Sequence, residues 1–136
     1  METKMEENIG SLIQKADWKK EKHVPVIDCP DEVLKDEMFD VKVGLGKEIT
    51  HPNTTEHHIR WIDLYFRPED EKFPYHVGRY EFNAHGESVD GPNESTIYTH
   101  HAITTSFKTS KPGTILATAL CNIHGLWQSS KQINVK

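Results

Sequence analysis

The sequence contains no apolar run near the roughly 20 residues that a membrane-spanning helix needs, so insertion by a helix is not expected. It also lacks a surplus of basic charge: the formal net charge is -5, which argues against nucleic acid as a main partner because phosphate binding needs a basic surface. No apolar signal-peptide core follows the acidic start Met1-Glu2-Thr3-Lys4-Met5-Glu6-Glu7. A cytoplasmic protein is therefore expected. Cysteine is scarce: Cys29 and Cys121 allow at most one internal disulfide, and a reducing compartment leaves each free as a core residue, a nucleophile or a metal ligand.

What the chain does have is histidine, 9 in 136 residues, and this outlier points to metal chemistry. The length suits one domain over 1–136 with a real core. Ile9, Leu12, Ile13 and Ala16 fall at helical spacing and predict one short helix from Asn8 to Ala16, within an N-terminal extension covering 1–17. Beyond it the period changes to two. Phe39, Val41, Val43 and Leu45 alternate with polar residues, as do Ile62, Leu64 and Phe66. Further strands are expected in 75–84, 97–108, 114–121 and 130–135, separated by turn signals at Gly86, Gly91-Pro92-Asn93 and Lys111-Pro112-Gly113. Short strands at this spacing with almost no helix predict an all-β sandwich.

Three separated segments carry the candidate chemistry: Glu21-Lys22-His23-Val24-Pro25, His51 to His58, and Cys121-Asn122-Ile123-His124-Gly125-Leu126-Trp127. Cys121 and His124 stand three apart where a strand should turn, so one loop can present a thiolate and an imidazole to the same ion. Alone, this pair reads more readily as a buried cysteine beside a surface histidine. His51 and His57 are six apart, which does not suit one helix face but suits a loop folding back on an ion. His58 should then point away, because adjacent side chains on an extended segment diverge. One thiolate and four imidazoles exceed the four ligands of a structural zinc site, whereas iron accepts a fifth ligand and an open sixth position.

The stretches Trp18-Lys19-Lys20-Glu21-Lys22-His23-Val24-Pro25, Gly46-Lys47-Glu48-Ile49-Thr50-His51-Pro52-Asn53, His57-His58-Ile59-Arg60 and Cys121 to Trp127 closely resemble the superoxide reductases, also called neelaredoxins and desulfoferrodoxins. Ala84-His85-Gly86-Glu87-Ser88 is similar to the family as well. The resemblance implies an immunoglobulin-like β-sandwich and one iron per chain, cycling between Fe2+ and Fe3+. It implies that His23, His51, His57 and His124 ligate the iron with Cys121 as axial thiolate, and that Glu21 closes the sixth position reversibly. Lys22 would draw the anionic substrate in.

The implied activity is one-electron reduction of superoxide to hydrogen peroxide, with rubredoxin or a similar donor restoring Fe2+; a homotetramer is the implied assembly. No Cys-x-x-Cys pair is present, so the single-iron type is implied, and Cys29 reads as packing. A copper electron carrier is the main competitor on a β-sandwich. It would want a methionine shortly after His124, and the methionines stand at positions 1, 5 and 38. A binding module with a structural zinc and a superoxide dismutase also compete.

Overall fold

The computed structural model describes residues 7–136. Eight strands follow in chain order: β1 (Val26–Asp28), β2 (Glu32–Val33), β3 (Phe39–Gly44), β4 (Ile59–Pro68), β5 (Tyr75–Glu81), β6 (Ala102–Phe107), β7 (Gly113–Cys121) and β8 (Gly125–Val135). They form a three-stranded sheet in the order β1-β3-β6 and a five-stranded sheet in the order β2-β8-β7-β4-β5. Neighbours are antiparallel apart from the two-residue parallel pairing of β2 with β8.

Alternation decides which face each strand buries. Phe39, Val41 and Val43 of β3 meet Ile62, Leu64 and Phe66 of β4, together with Ile115, Ala117 and Ala119 of β7, in one apolar core. Cys121 continues the inward row of β7 and is 1% exposed. The expected β-sandwich is thus present, and its core alternation carries the cysteine to one end of the space between the sheets. Cys29 packs against the edge of the same core as a half-buried residue, and burial pushes its thiol pKa up.

The N-terminal helix is shorter than its spacing predicts. It covers Ile9–Leu12, capped by the Asn8 side chain accepting from the Ser11 N–H. None of its residues is buried, and Ile9 and Leu12 are well exposed. Apolar spacing without a surface to pack against does not sustain a helix of this length. The chain turns extended at Ile13, and Gln14 pairs with Trp127: the Gln14 N–H donates to the Leu126 carbonyl, and the Gln128 N–H donates to that of Gln14. Of the 1–17 extension, residues 1–6 lie outside those described. Strands β1 and β2, three and two residues long, are too short to show a period in the sequence.

Candidate metal centre

Cys121 ends β7 and Gly125 opens β8, and the two are paired across a three-residue loop. Gly125 has φ +79, the left-handed turn position that lets so short a connection close. The loop folds the His124 backbone N–H onto the Cys121 sulfur at 3.4 Å. His23 comes from the segment before β1. His51 and His57 come from the loop leading into β4, and that loop passes close to Gly46, where a Cβ would stand 2.7 Å from the His51 nitrogen.

These residues converge. Ligand atoms of His23, His51, His57 and Cys121 all lie within 4.8 Å of one another. Nδ1 of His124 lies 3.1 Å from Nε2 of His23, 3.2 Å from Nε2 of His57 and 3.7 Å from the Cys121 sulfur. The four imidazoles form a closed cycle with centroid separations of 4.9 Å (His23–His51), 4.6 Å (His23–His124), 5.0 Å (His57–His124) and 4.7 Å (His51–His57). His23 and His57 face each other across it at 6.1 Å.

Nitrogen pairs that face each other with no proton donor assigned between them suit a shared cation. Two nitrogens each about 2.1 Å from one ion, at a right angle, stand about 3 Å apart. The outer atoms set the tautomers. His23 Nδ1–H donates to Glu21 Oε1 at 2.6 Å, and His51 Nδ1–H donates to the Pro52 carbonyl at 2.6 Å. This leaves both Nε2 atoms as lone pairs aimed inward. His51 Nε2 is buried without a hydrogen-bond partner among the described residues, an expensive state unless a metal takes the lone pair.

Burial drives the His51 pKa down to about 4 and lowers those of His23 and His57, which favours the neutral, metal-binding form. At Glu21 burial acts upward, but the His23 ring and amide outweigh it and the pKa is lowered.

All five predicted ligands are therefore brought together. Glu21, expected as a reversible sixth ligand, here holds the outer nitrogen of His23 with its carboxylate. Lys22 is half-buried, and its charge acts on both His23 and His57, so it sits at the rim. His58 turns away as expected and stacks on His85, at 3.6 Å between centroids and 7° between planes. Two further roles emerge only in the structure. Trp127 stacks on His23 at 5.1 Å and donates its indole N–H to the His124 carbonyl. Asn122 ties the two loops together, accepting from the His58 N–H and donating to the Glu56 carbonyl. Both lie inside the Cys121–Trp127 motif, which is the one sequence signal for them.

Residues 15–130 match the desulfoferrodoxin family. The chain belongs to that family. Among the desulfoferrodoxin relatives, the neelaredoxin of Megalodesulfovibrio gigas is 58% identical over 125 residues, covering 92% of this chain and 96% of that protein. The superoxide reductase of Pyrococcus furiosus is 57% identical over 121 residues, covering 89% and 95%. The structure of the superoxide reductase (neelaredoxin) from Archaeoglobus fulgidus in the reduced form superposes with a TM-score of 0.85 at 56% identity, covering 90% of this chain and 98% of that one. The desulfoferrodoxin match begins at Lys15, so the short helix precedes it.

Proposed function

We propose that this protein is a superoxide reductase holding one iron through His23, His51, His57, His124 and Cys121, and reducing superoxide to hydrogen peroxide. The observation that carries the reading is the closed cycle of four imidazoles beside a buried sulfur, in a chain whose relatives bear that name. Iron, when bound, supplies the one-electron Fe2+/Fe3+ couple that the reaction needs.

The protein's own groups do the rest. Lys22 puts positive charge at the rim of a chain that is negative overall, so the substrate anion meets a local attraction that salt screens. The His124 N–H donates to the Cys121 sulfur and so fixes its position beside the imidazoles. Glu21 fixes the tautomer of His23, and to serve also as a reversible iron ligand its carboxylate would have to leave that nitrogen. Trp127 covers one face of the His23 ring and restricts water there. An external one-electron donor such as rubredoxin restores the reduced state. Two free cysteines suit a reducing cytoplasm, and a homotetramer is the proposed assembly.

Metal analysis with spectra of the reduced and oxidised protein tests this directly. One iron per chain is expected, with a sulfur-to-iron charge-transfer band that Cys121→Ser removes. Consumed superoxide should yield peroxide without oxygen. A colourless zinc protein, or oxygen release in the proportion of a dismutase, would overturn the proposal.

A further inference from the structure

Outside the five converging residues, His85 is the most heavily engaged histidine. It is 3% exposed and lies in the excursion between β5 and β6. Its Nε2 faces the Phe82 carbonyl at 2.6 Å, and its Nδ1 faces Asn53 Oδ1 at 3.0 Å. The Asn53 amide nitrogen in turn donates to the Thr99 carbonyl at 2.7 Å. This chain has a carbonyl at both ends, and carbonyls only accept. Asn53 must present its NH2 to Thr99 and therefore its oxygen to His85; flipping the amide would set two oxygens against each other. Both His85 nitrogens then have to donate, and an imidazole that donates twice is an imidazolium.

We infer that His85 is a positioning residue, doubly protonated at neutral pH, that locks the loop carrying His51 and His57 from behind. It reaches that loop at both ends. Asn53 is two residues after His51, and His58, on which the His85 ring stacks, directly follows His57. The same excursion grips the loop twice more, through Asn93 Oδ1 on the Thr55 N–H and the Asn93 amide on the Glu56 carboxylate.

The charged and titratable groups around the ring are His58 just before β4, Arg60 at its start, Glu87 on the ring's own loop and His101 before β6. Without the Asn53 contact, burial, the largest influence, would carry the His85 pKa below its ordinary value, and His58 and Arg60 act the same way; the Phe82 carbonyl and Glu87 oppose them. The hydrogen-bond chain demands the opposite outcome. It prevails here because a bare Nδ1 would set a lone pair against an oxygen at 3.0 Å, and leave Asn53 without a donor at a buried contact. Glu87 supplies a nearby counter-charge, its Oε1 accepting from the His85 backbone N–H at 2.5 Å.

The role as a positioning residue rests on His51 and His57 being ligands; the protonation state does not. Long-range proton–nitrogen NMR of the 15N-labelled full chain at pH 7, metal-free and zinc-loaded, should show both His85 nitrogens protonated. One bare nitrogen at pH 7 overturns the inference. Release of Fe2+ to a colorimetric chelator should be at least fivefold faster in His85→Phe, which keeps a ring on His58 but offers no donor. Wild-type release should accelerate as pH rises through the His85 titration seen by NMR, while His85→Phe stays flat. Wild-type release from His85→Phe, or a pH-independent wild type across that titration, would overturn the positioning role. Should His85→Phe fail to fold, the wild-type NMR and pH profile still decide. A wild-type chain that holds no metal removes the ligand reading and the positioning role together, whereas a metal-holding chain with singly protonated His85 removes this inference alone.

Discussion

Two groups of packed histidines sit side by side in this molecule and are built on opposite terms. In the His58–His85 pair, three ring nitrogens have oxygen acceptors: Thr54, Phe82 and Asn53. In the neighbouring cycle the outer nitrogens of His23 and His51 are satisfied, and the inner ones face only each other or nothing. Burial cannot separate the two groups, since His51 and His85 are equally inaccessible. The direction of the unused lone pairs does. A structural histidine spends its polar atoms on the fold, and a metal-binding one keeps an atom back.

His51→Ala breaks the contrast most sharply. Fe2+ affinity should fall at least about 100-fold, since a ligand costs more than the 10–100-fold of an outer partner. The metal-free fold should lose about 1 kcal/mol or less: the Nδ1–H bond to the Pro52 carbonyl goes, but so does a buried Nε2 that had no partner among the described residues. A fall in affinity matched by an equal loss of metal-free stability would place His51 in the structural group.

Acid gives the second test. His51 and His101 both stand at about 4 through burial, against about 6.5 when unfolded. The unfolded chain therefore takes up protons first. Stability of the metal-free protein is fully present above pH 6.5 and should decline as pH falls toward 4, by up to roughly 3 kcal/mol per histidine. Denaturant midpoints that do not change between about pH 7 and pH 4.5 would contradict it.

His58→Ala should show the reverse of His51→Ala. Losing its ring removes a stack and a hydrogen bond, so urea unfolding of the metal-free chain should weaken by about 1–3 kcal/mol, with Fe2+ affinity changed less than tenfold. Lys22→Ala should touch neither group's packing. Its expected effect is the smallest: a few-fold slower second-order reaction with superoxide at low ionic strength, vanishing at high salt. Pulse radiolysis across a salt series measures it.

The strands are legible in the sequence because alternation is a local property: Ile115, Ala117, Ala119 and Cys121 already say which way the sulfur points. The ligand candidates are legible through three motifs and a family likeness. Other features depend on partners that leave no trace in a residue's own neighbourhood. Ile9 and Leu12 have helical spacing, yet nothing in the spacing says that no surface waits for them. Residue order alone does not place Glu21 on the outer side of His23. His85 is visible only as part of a family-like stretch, because its partners include backbone carbonyls, which every residue has.

The inward row of β7 has one more consequence. Cys121 enters the cluster because it sits an even number of residues from Ile115, and the pairing of β7 with β4 and β8 holds that count. A slip by one residue would turn the sulfur to the opposite side of the sheet. Iron held as proposed would then report on register: a chain whose strands pair one residue out would lose the sulfur ligand, and metal content after saturation would measure the share of molecules that assembled correctly.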